Sequence, residues 1–154
     1  MEKIKPMDCA LTEAKKAFSR EEVPVGAVIV DVLSGEIIAT AHNEMVQRKD
    51  PTAHAELLAI QRACLAKGKG RLEDCDIYIT LEPCPLCAQA ISFARLRRLY
   101  FGAYDPKGGG VDHGAQIFNA SSCHHIPEVI GGVEEKKCAQ LLVHFFEKIR
   151  SAAF

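Results

Sequence analysis

The spacing of four side chains limits the folds open to this chain more than any other feature. His54-Ala55-Glu56 stands in one segment, and Pro83-Cys84-Pro85-Leu86-Cys87 follows about thirty residues further on. One imidazole and two thiols are donors that zinc favours, and a catalytic zinc keeps three protein ligands so that water can take the fourth position. His54, Cys84 and Cys87 meet that count. Glu56 is left over, two residues from the histidine, to move protons to and from such a water. Any fold must therefore bring the two segments to one point. Both read as helix starts: Asp50-Pro51-Thr52 is a loop and helix-start signal ahead of His54, and Pro83 and Pro85 bracket Cys84 as in a loop entering its first helical turn. Cys84 and Cys87, three apart, then share a helix face, and a helix N-terminus favours the thiolate that ligates metal.

Taken singly, these motifs are weak, since an HxE tripeptide arises by chance and a PCxxC also fits a structural zinc half-site or a redox pair. A redox pair would leave Glu56 without a role, and a structural site would close with a fourth ligand. Together they read as a hydrolytic zinc site. The other cysteines fit a plainer role, because Cys9, Cys64 and Cys138 fall on apolar stripes of predicted helices and free cysteine packs as a small hydrophobe.

The pattern of elements around the site is α/β. A helix is predicted from about Met7 to Arg20, with Met7, Ala10, Leu11, Ala14, Ala17 and Phe18 on one face. Val25 to Val30 and Glu36 to Ala41 read as a hairpin turning at Leu33-Ser34-Gly35. A helix from about Ala53 to Lys67, ended by Gly68-Lys69-Gly70, leads to a nearly all-apolar strand from Cys75 to Thr80. The helix beginning near Cys84 continues through Ile91 and Phe93. Leu99 to Ala103 and the short Glu128 to Ile130 are further strands, and Cys138, Leu141, Leu142, Phe145, Phe146 and Ile149 mark a final helix from about Val133 to Arg150. Two strands followed by alternating helix and strand predict a three-layer α/β/α sandwich around a mixed five-stranded sheet. The glycine-rich stretch from Asp105 to Pro127 is either a functional loop or partly helical around Ala115 to Ala120.

Length and composition exclude several alternatives. A chain of 154 residues fits one domain spanning 1–154, and 48% apolar with 25% charged residues matches an ordinary soluble protein. No stretch approaches a membrane span, and the polar Met1 to Pro6 segment lacks the features of a signal peptide. Seven cysteines with only one close pair argue for a reducing compartment. The expectation is a cytoplasmic protein with no membrane partner. A formal net charge of -1 gives no global pull toward nucleic acid, so any RNA affinity must be local.

The His54-x-Glu56 and Pro83-Cys84-x-x-Cys87 signature resembles that of the zinc-dependent cytidine and adenosine deaminases. Beyond it, Glu22 to Val28, Asn43, Asp50 to Glu56, Leu72 to Cys75, Thr80 to Cys87, Gly102 to Gly109 and Gly131-Gly132-Val133 are similar to the bacterial wobble-position tRNA adenosine deaminases. The resemblance implies a cytidine deaminase-like fold with sheet order 2-1-3-4-5 and one zinc per subunit on His54, Cys84 and Cys87. It implies that Glu56 takes a proton from the zinc-bound water, delivers it to the purine ring nitrogen and protonates the departing ammonia, giving inosine. Asn43 and Ala55 would contact a flipped base, and Asp105 and Lys107 would approach the flanking nucleotides of a tRNA anticodon stem-loop. A homodimer is implied as well. Read without the resemblance, Asn43 is a turn asparagine and Lys107 a solvated loop charge.

Two segments depart from that pattern: Gly110 to Ile117, where the family runs through a small residue to Ser-Leu, and the end of the final helix, which the family fills with arginine. These departures leave the zinc chemistry untouched and keep open a deaminase of a free nucleobase or nucleoside, of guanine or cytosine type. A zinc-stabilised RNA-binding module is the non-enzymatic alternative. Three further features are assigned plain roles: Arg95, Arg97 and Arg98 as a solvated face, Cys123-His124-His125 as a loop, and Gly108-Gly109-Gly110 as a source of flexibility or of close backbone approach.

Overall fold

Alternation along the central strands sorts the side chains into two cores. A computed structural model of the chain describes residues 4–152; Met1 to Lys3, the start of the polar N-terminal segment, and the last two residues lie outside the described residues. In β1 (Gly26–Asp31) Ala27 and Ile29 face one core and Val28 the other, and in β3 (Cys75–Leu81) Ile77 and Ile79 oppose Tyr78 in the same way. The first core is covered by α3 (Ala55–Lys67) and α4 (Pro85–Phe93), which contribute Leu58, Ala59, Ala63, Ala88 and Ile91. The second lies beneath α1 (Pro6–Ser19) and α5 (Glu135–Ala152), through Met7, Ala10, Leu11 and Cys138. This is the expected three-layer α/β/α arrangement.

The sheet also contains β2 (Ile37–His42), β4 (Arg98–Ala103) and β5 (Glu128–Ile130), in the order β2-β1-β3-β4-β5. β1 pairs antiparallel with both β2 and β3, while β3, β4 and β5 run parallel, so the sheet is mixed as predicted. The hairpin turn is built by Asp31, whose Oδ1 accepts from the N–H groups of Leu33 and Ser34, with Gly35 at φ 74°. One element was not expected: a single helical turn, α2 (Met45–Arg48), held by the buried Glu22, whose two oxygens accept from the N–H groups of Val46 and Gln47. The Asp105 to Pro127 stretch is irregular apart from a 3₁₀ turn at Ile117–Asn119, within the span predicted to be partly helical.

Gly26 sets how closely α1 approaches the sheet. A Cβ at this position would run into the Ala10 carbonyl oxygen and lie 2.7 Å from the Ala14 nitrogen, both backbone atoms that cannot turn aside. The Gly26 N–H also donates to Thr80 Oγ1 at 3.1 Å, in the buried interior. Gly26→Ala is expected to destabilise the fold by about 3 kcal/mol through overpacking. In urea this reads as a lower midpoint at an unchanged m-value.

Candidate metal centre

α3 and α4 cover the same face of the sheet, and their N-termini come together there. His54 is the N-cap residue of α3 and Cys84 that of α4, both with extended backbone (φ -77°, ψ 146° and φ -70°, ψ 170°). Cys87 follows within the first turn of α4 and is fully buried. Cys84 therefore stands one residue ahead of the helix rather than inside its first turn, because Pro85 occupies N1, where its fixed φ suits the helix and no N–H is lost. The two Sγ atoms and an imidazole nitrogen all lie within 4.8 Å of one another.

The orientation of the imidazole is set from behind. His54 Nε2 donates to the Pro51 carbonyl at 3.0 Å, and a carbonyl only accepts, so Nε2 carries its proton and Nδ1 faces the sulfurs. Nδ1 stands 3.3 Å from Cys87 Sγ and 3.6 Å from Cys84 Sγ. Tetrahedral zinc with sulfur at about 2.3 Å and nitrogen at about 2.1 Å would separate these donors by roughly 3.6 Å. The donor set and its spacing therefore fit zinc. Cys84 falls to about 4, against the effect of burial, chiefly because Cys87 donates a hydrogen bond to it, while that same bond and then burial push Cys87 up.

Glu56 lies in the first turn of α3, buried, with 4% of its surface exposed. Burial pushes its carboxyl up, and the Cys84 thiolate nearby adds to that. A buried carboxyl beside an open ligand set is placed to accept and return a proton.

The expected base-contacting residues adjoin this centre and engage one another. Asn43, buried after the end of β2, accepts the Ala55 N–H with its Oδ1 at 2.8 Å, so it caps α3 from outside the helix. Its Nδ2 has no protein acceptor among the described residues. Asp105 and Lys107 sit beyond the end of β4 in a tight turn: Asp105 Oδ1 accepts from Gly108 N–H and its carbonyl from Gly109 N–H. With Tyr104 and the α5 residues Phe146 and Arg150 they line an open hollow of 810 Å³, separate from the metal donors.

Glu82, which joins β3 to the Pro83-Cys84 turn, is a residue whose part the sequence did not reveal. It is buried, and its carboxylate collects four backbone N–H groups and the His113 ring. Burial alone would raise its pKa, but the Asp105 N–H and the His113 ring more than offset that and hold it below the usual carboxylate value. A charged residue at the exit of an apolar strand, two residues before a ligand, was the available signal.

The secondary candidates resolve as structural. Arg97 makes a two-point pair with Asp76 at 3.0 and 2.8 Å, and Arg98 pairs with Glu128 at 2.6 Å. Ser92 Oγ and the Cys123 thiol both bond the His125 carbonyl, and His125 Nε2 bonds the Leu96 carbonyl, so Cys123-His124-His125 is a tethered loop. Among the described residues His54, Cys84 and Cys87 are the metal-competent group. The glycines do serve close approach: a Cβ on Gly110 would lie 2.5 Å from the Pro85 nitrogen.

Comparison with known proteins gives a consistent picture. Residues 1–103 match the family described as the cytidine and deoxycytidylate deaminase zinc-binding region. A tRNA-specific adenosine deaminase of Agrobacterium fabrum is 51% identical over 94% of this chain and 93% of its own. A structure solved in a study of A-to-I editing by tRNA:A34 deaminases at the wobble position superposes with a TM-score of 0.86 at 50% identity, covering 89% of this chain and 98% of that one. A guanine deaminase of Bacillus subtilis superposes with a TM-score of 0.62 at 39% identity, over 68% of this chain and 66% of its own.

Proposed function

Because the chain belongs to the cytidine and deoxycytidylate deaminase family, we propose that it is a zinc-dependent hydrolase converting the wobble adenosine of a tRNA anticodon to inosine in the cytoplasm. His54, Cys84 and Cys87 hold the zinc in this reading, and Glu56 is the catalytic proton carrier. The observation that carries the chemistry is the three-donor cluster at the two helix starts, with a spare buried carboxylate two residues from one ligand. The choice of tRNA adenosine is supported by the near full-length likeness to the Agrobacterium fabrum enzyme.

Zinc, when bound, supplies Lewis acidity at an open fourth position, which makes water nucleophilic near neutral pH. The chain's own groups do the rest. Glu56 removes a proton from the attacking water and passes it to the purine ring nitrogen. It then takes the second proton from the hydroxyl that has added to the carbon and delivers it to the amine, so that a C=O bond replaces the C–N bond and ammonia departs. The Asn43 Nδ2 donors orient the base, and Asn43 Oδ1 keeps the Ala55 end of α3 in register with them. Asp105 and Lys107, beside the hollow above α5, receive the flanking nucleotides. A homodimer belongs to the same reading. Leu86 and Phe93, two turns apart on one face of α4, remain 47% and 73% exposed, apolar side chains suited to cover by a second copy.

A second reading, deamination of free guanine, is favoured by the likeness to the Bacillus subtilis guanine deaminase. One experiment separates the two: purified protein is given either an anticodon stem-loop RNA with adenosine at the wobble position or a panel of free bases. Inosine in the RNA with ammonia released in equal amount is the expected result. Ammonia from guanine and none from the RNA would establish the second reading instead.

A further inference from the structure

We propose that Glu82 is a positioning residue, whose carboxylate registers the Asp105–His113 loop against the Cys84-Pro85 turn and so sets the distance between the RNA-facing loop and the reacting centre. Its Oε1 accepts the Asp105 N–H at 3.0 Å and the His113 ring Nδ1 at 2.8 Å. Its Oε2 accepts the N–H groups of Val111, Asp112 and His113 at 3.3, 3.0 and 3.1 Å. Both ends of the loop thus close on one carboxylate. The same residue is fastened to the sheet by its own N–H, which donates to the Ala103 carbonyl at 2.8 Å, and it directly precedes Pro83, whose carbonyl accepts the Gly110 N–H at 2.8 Å.

The loop sits as low as a backbone can. A Cβ on Gly109 would overlap Glu82 Oε2 and lie 2.6 Å from the Asp105 carbonyl oxygen, and one on Gly110 would meet the Pro85 nitrogen. Glycine at both positions lets the loop rest on the ligand-bearing turn itself. A loop that merely needed to be stable would be served by any tether to the sheet. This one is tied to the residue that enters the Cys84 turn, and it carries Asp105 and Lys107 at the rim of the hollow. The assignment rests on the RNA-contact reading of this loop for its effect on substrate, whereas the tether itself can be tested without substrate.

Glu82→Gln keeps the shape but turns one acceptor into a donor facing N–H groups, leaving them unsatisfied. Zinc content is expected to stay at one per chain. Amide hydrogen exchange at Asp105, Val111, Asp112 and His113 should rise roughly tenfold more than at the amides of β1 and β3. KM for the wobble-adenosine stem-loop should rise roughly tenfold, with kcat changed by less than about threefold. Gly109→Ala displaces the same loop from the other side and leaves the carboxylate intact. It should give the same split, and the double variant should be no worse than the worse single one, because both act on one contact. If Glu82→Gln does not fold, Gly109→Ala carries the test. Unchanged loop exchange, or equal loss across sheet amides, zinc and kcat, would overturn the assignment. Wild-type protein that makes no inosine would instead sink the RNA reading, with the exchange result still standing.

Discussion

A Glu56→Ala protein is expected to bind zinc at wild-type stoichiometry and to lose deaminase activity by about three orders of magnitude, the range ascribed to a single general acid–base group. The separation of the two readouts follows from the position of Glu56. It shares the first turn of α3 with the His54 N-cap, yet it does not belong to the three-donor cluster. Its removal takes away the group that accepts and returns the proton while leaving two sulfurs and one nitrogen in place. Glu56→Gln should be as inactive as Glu56→Ala, since an amide fills the buried space but cannot carry the proton. A Glu56→Ala protein that retained zinc and near-wild-type ammonia release would remove the proposed proton path altogether.

Cys87→Ala is expected to reduce bound zinc well below one per chain and to abolish measurable turnover, with chelation of the wild-type protein doing the same reversibly. Two remaining ligands hold zinc far less tightly than three, and without the ion no Lewis acid faces the substrate. The fold should survive. Both cores are closed by α1, α3, α4 and α5 on the sheet, with side chains such as Ile77, Ile91, Leu99 and Phe101 fully buried and none of them dependent on the metal. Far-ultraviolet circular dichroism of the chelated protein should match the zinc-loaded form. Unfolding on chelation would show instead that the ion holds the domain together, as it does in small zinc modules.

The elements most legible in the sequence were the continuous apolar runs of the central strands and the helix whose apolar residues recur at helical spacing. β1 and β3 read as continuous apolar runs and are buried on both faces of the sheet, and α5 carries its apolar stripe within two residues of the expected ends. The ligand set was legible because metal chemistry restricts residue type, and helix-start signals put both segments where the structure has them. What escaped depends on partners far away in the chain. α2 exists because Glu22 reaches it from 24 and 25 residues earlier, and nothing within Met45–Arg48 announces that. Three neighbouring arginines looked like one basic face. Strand pairing sets Asp76 against Arg98 in register, yet it is Arg97 that takes the Asp76 carboxylate while Arg98 turns to Glu128 on β5. The two expected base contacts, Asn43 and Ala55, bond each other, a pairing that spacing alone does not disclose.

The helix starts at His54 and Cys84 also set a boundary for anyone wishing to make this protein more heat-resistant. Neither side chain caps its own helix, so a sequence optimiser would place serine or aspartate at both positions for a gain of about 1 kcal/mol each. Either exchange would delete a ligand. Stabilisation has to be sought elsewhere, on the exposed face of α1, because at these two starts the chain has given up thermal robustness for reactivity.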